Sequence, residues 1–273
     1  MNIRRRSPWW RRIVRRLSRV LFRWAENNDD ARITRNGERW LLRELLRAHV
    51  ARASGRSFVV FDVGANVGDY TRVVLEEARL AGAVVEIHAF EPSPAAAAKV
   101  RELVRLAPSV RLTEVALSDR AGQAPLHGGE TGSSHASLFE RRLPSDLGGG
   151  VLNVPVQRLH EYLASQSVAH LDLLQLDTEG SELAVLRGLG GQLRPEVVDA
   201  IQFEYGGTTR DAGVALRDLH DLLVERGFVF AKLFPHSLER RIYSEWMDNF
   251  SFANYVAMAP RWLKGPSSGE PKA

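Results

Sequence analysis

The chain has 273 residues, 44% of them hydrophobic, which suffices for one α/β domain with a large core plus extensions. It has no cysteine, so disulfides, thiolate metal sites and a cysteine nucleophile are excluded. The net charge of +4 averages two unlike parts: residues 1–24 carry nine arginines and no acid, which leaves the remainder at −5. A mildly acidic body does not suit a nucleic-acid backbone, and nucleic acid is not an expected partner.

Residues 1–30 are a basic arm. Trp9, Trp10, Ile13, Leu17, Val20, Leu21 and Trp24 recur at three- and four-residue steps while arginines fill the rest of the wheel, which predicts an amphipathic helix. Tryptophan with arginine suits the surface of an anionic membrane. Packing of the tryptophans on the domain, or on a second subunit of a homo-oligomer, accounts for the pattern equally well. Arginine interrupts every few residues, so nothing here reads as a signal-peptide core or a membrane span. The expected location is cytoplasmic, peripheral at the inner membrane face if the arm meets lipid.

A helix is predicted over 36–51, with Trp40, Leu41, Leu45 and Leu46 on its buried side. Strand and helix then alternate from 58 to about 107, the βαβ order of a parallel sheet. A third strand covers 110–116 and a short one 123–127. Residues 128–153 are rich in Gly, Ser and Pro and are long enough to serve as a lid over a substrate. His135, in Ser133-Ser134-His135-Ala136-Ser137, is a candidate base there, while His88 and His160 read as structural. Order resumes at 154–156, with a helix over 159–165 and a fourth strand over 171–176. A strand over 197–203, a helix over 211–226, a strand over 227–234, an insertion and a last strand over 252–258 complete a domain spanning 31–259. Residues 260–273, with Gly, Pro, Ser and Lys, form a disordered tail.

The most informative stretch is Phe58-Val59-Val60-Phe61-Asp62-Val63-Gly64-Ala65-Asn66-Val67-Gly68-Asp69-Tyr70-Thr71. An apolar strand ends in an acid, a glycine turn follows, and a helical pattern begins. In an α/β protein that turn lies at the carboxyl edge of the sheet, where ligands bind. Glycine lets the backbone approach a ligand, and the helix start offers free N–H groups. Glu91 ends the next apolar strand, where a ribose would need a carboxylate for its two hydroxyls. Together these mark a nucleoside-cofactor site. The order Asp62-x-Gly64-x-Asn66-x-Gly68 departs from the G-x-G-x-x-G of dinucleotide sites. It is the D/E-x-G-x-G-x-G form of S-adenosylmethionine (SAM) sites, with one glycine replaced.

Three further motifs follow in order: Ala89-Phe90-Glu91-Pro92-Ser93-Pro94, Ala116-Leu117-Ser118-Asp119 and Leu176-Asp177-Thr178-Glu179-Gly180-Ser181-Glu182. With the glycine turn, they resemble the FkbM family of SAM-dependent methyltransferases. Arg35-Asn36-Gly37-Glu38 and Ala253-Asn254-Tyr255-Val256-Ala257 are also similar to segments of that family, so the resemblance covers roughly residues 35–259. It implies a class I methyltransferase (Rossmann-like) fold: α/β, with a mostly parallel seven-stranded sheet and helices on both faces. It implies SAM as cofactor, held by Asp62, Gly64, Asn66, Gly68, Tyr70, Thr71, Glu91, Ser118 and Asp119, the last reading the adenine amine. Gln175 departs from the family, which usually has lysine there, so any role of that lysine is in doubt.

Asp177 and Glu179 follow the fourth strand, which in this architecture ends beside the methyl group to be transferred. Glu204 ends the next strand at the same edge and could complete a polar pocket with Asp177. Glu182 is read as stabilising a helix N-terminus. Asp177, Glu179, Glu204 and His135 are the catalytic candidates. Such an oxygen-rich set would also suit Mg²⁺, but a metal-free, hydroxyl-binding pocket is preferred and no metal is assigned. The resemblance implies O-methylation of a sugar, glycan or polyketide-type hydroxyl. The alternatives are a non-catalytic SAM-binding or membrane-scaffold protein, and a nicotinamide dehydrogenase, which the glycine spacing opposes. A base-amino methyltransferase is opposed by the lack of an Asn/Asp-Pro-Pro-Tyr/Phe tract after the fourth strand.

Overall fold

The structure, a computed structural model, describes residues 8–52, 55–129, 136–140 and 150–262. Its main sheet runs β1 (Phe58–Val63), β2 (Val85–Phe90), β3 (Val110–Thr113), β7 (Leu171–Leu176), β8 (Val198–Tyr205), β9 (Val229–Phe234), β10 (Ser237–Arg240) and β11 (Ala253–Met258). In space the order is β10-β9-β11-β8-β7-β1-β2-β3. β1 lies parallel to β2 and to β7, β2 to β3, and β7 to β8, whereas β11 runs antiparallel between β8 and β9. The sheet therefore has eight strands rather than the expected seven. The added strand, β10, comes from the insertion after β9 and pairs only at the edge.

The expected third strand over 110–116 is two strands in two sheets. β3 stays in the main sheet, whereas β4 (Ala116–Ser118) joins β5 (Gly122–His127) and β6 (Val151–Arg158) in a small sheet ordered β4-β6-β5. The helix expected over 211–226 begins only at α8 (Leu216–Glu225); a separate short helix, α7 (Gly207–Asp211), precedes it, and the two are parted near Gly213 at φ +73°.

Helices cover both faces of the main sheet. α5 (Leu159–Ser165), α6 (Glu182–Gly188) and α8 pack against Phe61, Val63, Leu174, Ile201 and Phe203 on one face. α2 (Glu38–Ala51) and α3 (Asp69–Ala81) pack on the other through Leu41, Leu42, Leu45, Leu46, Tyr70 and Val74, against Phe58, Val60 and Leu173. Successive strand residues face opposite layers, so Asp62 between Phe61 and Val63 faces α2 and α3. α4 (Pro94–Leu106) sits nearby, with Val100 packed on Ala65 and Ala89. α1 (Trp9–Ala25) forms as the arm pattern predicts, and none of its residues is buried.

α2 and α3 are clamped by ions as well as by leucines. The Glu77 carboxylate, 1% exposed, accepts from Arg39 Nε at 2.5 Å and from Arg43 Nε at 2.9 Å. Arg43, then Arg39, hold Glu77 down at about 2, well below the usual glutamate range, against its burial. This contribution is present above the ordinary glutamate pKa near 4.5 and is lost as pH falls through about 2. Both arginines are partly solvated, which reduces the value of the pairs. Glu77→Gln is expected to destabilise the chain by about 1–2 kcal/mol at neutral pH and to leave less to lose between pH 5 and 2, as read by urea denaturation.

Candidate active site

The carboxyl ends of β1, β7 and β8 meet at one edge of the sheet. Gly64 follows β1 at φ +86°, and a Cβ there would overlap the carbonyl oxygen of Asp177, so glycine is required by close approach as well as by conformation. Asn66 follows at φ +49°, a left-handed conformation that asparagine enters more readily than most residues. Asparagine can therefore replace the middle glycine. The Asn66 amide donates to Glu91 Oε2 at 2.8 Å, and the Ser93 amide donates to Glu91 Oε1 at 2.8 Å. Glu91 thus fastens the glycine turn to the bend after β2.

Two pockets open at this edge. One is lined by Glu91 and by the apolar Phe90, Val115, Leu117, Leu126 and Leu138, among others. The other is lined by Glu38, Asp62, Gln175, Glu204, Tyr70 and Tyr205, among others. Gly64, Asn66, Asp177 and Glu179 line both. No lysine or arginine lines either among the described residues.

Burial without a countercharge raises the carboxyl pKa values. Asp62 is pushed up to about 6, mainly by burial, although the Thr71 hydroxyl donates to its Oδ2. Glu91 is raised to about 7 by burial, against its two amide donors. Glu38 is also raised to about 7 by burial, with Gln202 Nε2 donating to its Oε1 at 2.7 Å. Asp177 lies well above the aspartate range through desolvation and then repulsion from Glu179; Glu204 is raised by desolvation and then by Asp177. Glu182, raised by burial, accepts from the Thr178 amide and hydroxyl and from the Gly180 amide. It therefore folds the turn that carries Asp177 and Glu179.

Of the residues singled out in the sequence, Asp62, Gly64, Asn66, Tyr70, Glu91, Asp177, Glu179 and Glu204 line one or both pockets. Gly68, at φ +85° before α3, and Thr71, behind Asp62, support the site without lining it. Ser118 and Asp119 do not line it either. The Ser118 carbonyl packs against Gly188 of α6, and Asp119 is exposed. Val115, Ala116 and Leu117, just before them, form the pocket wall instead. His135 lies outside the described residues. From the predicted lid segment, Ala136, Ser137 and Leu138 face the Glu91 pocket, with Ser137 Oγ donating to the Glu179 carbonyl at 2.8 Å.

Sequence reasoning gave Glu38 no role, yet Glu38 enters the carboxylate pocket from the start of α2. Its only signal was its place in Arg35-Asn36-Gly37-Glu38, where an acid in a first helical turn reads as dipole stabilisation. Gln175 sits between Asp62 and Gln202 on adjacent strands, 4% exposed, with its Oε1 unpartnered. His88 and His160 are structural as expected, bonded to Tyr162 Oη at 2.9 Å and to the Gly188 carbonyl at 2.8 Å. Among the described residues, only His170, Asp172 and Asp199 bring ligand atoms close enough to share a cation. They lie at the opposite edge of the sheet, where Arg56 and Arg261 already pair with the carboxylates.

Between about pH 4.5 and 7 the folded chain holds Glu38 protonated more than the unfolded chain does. Its contribution to stability is full below pH 4.5 and is lost as pH rises through about 7. Glu38→Gln should therefore gain about 1–3 kcal/mol on the parent at pH 8 relative to pH 5, measured by chemical denaturation. An equal difference at the two pH values would remove Glu38 from the desolvated set.

Residues 62–230 match the methyltransferase FkbM domain, which is more than half of the chain. The chain is 29% identical over 194 residues to the 2-O-methyltransferase NoeI of Sinorhizobium fredii, covering 66% of this chain and 76% of that protein. It is 29% identical over 199 residues to the 31-O-demethyl-FK506 methyltransferase FkbM of Streptomyces tacrolimicus, covering 62% of this chain and 72% of that protein. Among solved structures, a methyltransferase FkbM from Methylobacillus flagellatus aligns at a TM-score of 0.47 and 14% identity, over 73% of this chain and 43% of that one. The glycine turn, the carboxylate edge and the matched domain agree, and the chain belongs to the FkbM methyltransferase family.

Proposed function

We propose that the chain uses SAM to methylate a hydroxyl of a sugar, glycan or polyketide-type product. The observation that carries this reading is the junction of the two pockets at Asp177, Glu179, Gly64 and Asn66. A methyl donor and an acceptor must meet end to end, and these are the residues both pockets share. The two similar proteins are named as O-methyltransferases, which supports oxygen as the acceptor atom.

The residues fit the cofactor. Phe90, Val115, Leu117 and Leu138 offer an apolar slot for an adenine ring, and Glu91 beside it offers carboxylate oxygens to ribose hydroxyls. Among the described residues no basic side chain lines the pocket that holds Asp62 and Glu38, and these two suit an ammonium and a sulfonium. Buried polar atoms without partners here, Asn66 Oδ1, Ser181 Oγ and Tyr70 Oη, remain available to a ligand. When bound, SAM supplies an activated methyl on a positive sulfur, so the protein mainly has to align the groups.

In this reading Asp177, at the junction of the two pockets, takes the hydroxyl proton; a positively charged donor beside it would favour its ionised form against the desolvation that raises its pKa. Glu204 and Glu179 hold the remaining hydroxyls of a polyol, for which a carboxylate wall is better suited than for a flat aromatic.

Two measurements check the reading. S-Adenosylhomocysteine should bind in calorimetry, Glu91→Ala should weaken it by about tenfold or more, and NAD should not bind. With a labelled methyl donor, polyol acceptors should take up label and oligonucleotides should not. Asp177→Asn should then cut turnover by about a hundredfold while cofactor affinity stays within a few fold. Label in oligonucleotides alone, or an unchanged rate in Asp177→Asn, would overturn the assignment.

A further inference from the structure

We infer that α1 is a membrane-anchoring helix that lies in the headgroup layer of an anionic phospholipid bilayer. At about 100° per residue, Trp9, Trp10, Ile13, Val14, Leu17, Val20, Leu21 and Trp24 fall within an arc of about 140°. Arg11, Arg12, Arg15, Arg16, Arg19 and Arg23 fill the opposite arc. All eight apolar side chains are exposed, Trp9 at 72%, Leu21 at 63% and Trp24 at 82%. An apolar face this large on a helix with no buried residue has no partner among the described residues.

Charge identifies the partner. Of the six arginines of α1, only Arg23 meets an acid among the described residues, pairing with Asp29. A second copy of the arm would bring like charges together along its whole length, whereas anionic lipid neutralises them. Nucleic acid would satisfy the arginines and leave three tryptophans and five aliphatic side chains in water. A bilayer interface satisfies both faces at once, with the rings at headgroup depth and the guanidinium groups on phosphates. No helix among the described residues is long and apolar enough to cross a membrane, so α1 lies on the surface rather than spanning it.

The base of the arm is fixed to the domain beside the carboxylate pocket. Glu26 accepts from the buried Lys232 Nζ at 3.0 Å and from Arg241, and the Asp29 amide donates to the Phe252 carbonyl at 2.9 Å. Phe22 packs edge-on against Trp246 with ring centroids 5.8 Å apart. Ala31, Ile33 and Phe252 then line the carboxylate pocket itself. A membrane-held α1 therefore keeps that pocket close to the bilayer surface, where a lipid-linked acceptor is presented.

Vesicle cosedimentation of the full chain tests this, using phosphatidylcholine vesicles with and without phosphatidylglycerol, at low and high salt. The full chain should sediment with the anionic vesicles, not with the neutral ones, and should be released by salt. Leu17→Ser with Trp24→Ser, and separately Arg12→Gln with Arg15→Gln and Arg19→Gln, should each lower the bound fraction by about tenfold or more. These side chains support no core, so unchanged melting and unchanged S-adenosylhomocysteine affinity should accompany the loss. That second reading separates failure of the anchor from failure of the cofactor assignment. Failure to sediment, or sedimentation of the variants like the parent, would overturn the inference. So would a dimer abolished by the apolar variant, or RNA retained by the arm, in the absence of vesicle binding.

Discussion

The site is governed by carboxylates that are out of water and, among the described residues, without a countercharge. Glu38, Asp62, Asp177 and Glu204 converge from α2, β1, β7 and β8, and among the described residues no lysine or arginine lines the space between them. Removing charge from water is costly, and a protein lowers the cost by holding the groups protonated. The raised pKa values report that outcome. Such an arrangement weakens the empty protein and favours a ligand that brings positive charge. Gln175 sharpens the effect, because the side chain buried between Asp62 and Gln202 is a neutral amide.

The rest of the fold serves this edge. Parallel strands end together, so residues distant in the chain share one rim. The approach of β7 to the turn after β1 explains why Gly64 cannot carry a side chain. Glu91 and Glu182 act on the backbone, the first fastening the glycine turn and the second shaping the turn after β7. Both carboxylates thereby hold other groups in place. The clamp at Glu77 holds together α2 and α3, the helices that carry Glu38 and Tyr70.

Much of this was legible because local pattern and tertiary role coincide. The strands β1, β2 and β7 are mostly apolar and almost wholly buried, and the acids at or just past their ends mark the ligand edge. What was missed depends on packing. The stretch 110–116 reads as one strand and gives no sign that its two halves part into different sheets. β10 is short and polar on an edge, so periodicity alone does not reveal it. Glu38 looks like any acid at a helix start until the chain folds it against β1 and β8. Ser118 and Asp119 illustrate the reverse, since the motif was visible but its preceding apolar residues line the pocket. On the arm, the wheel predicted the helix, and only the structure shows that its apolar face is uncovered.

The carboxylate pocket is built to receive a positively charged ligand. Calorimetric titration near pH 6.5, in buffers of different protonation enthalpy, counts the protons exchanged on ligand binding. Protons should be released when SAM binds, because a nearby positive charge lowers the carboxyl pKa values. Fewer should be released with S-adenosylhomocysteine, which lacks the sulfonium charge. Equal release with both ligands, or proton uptake with SAM, would contradict a pocket built around uncompensated carboxylates.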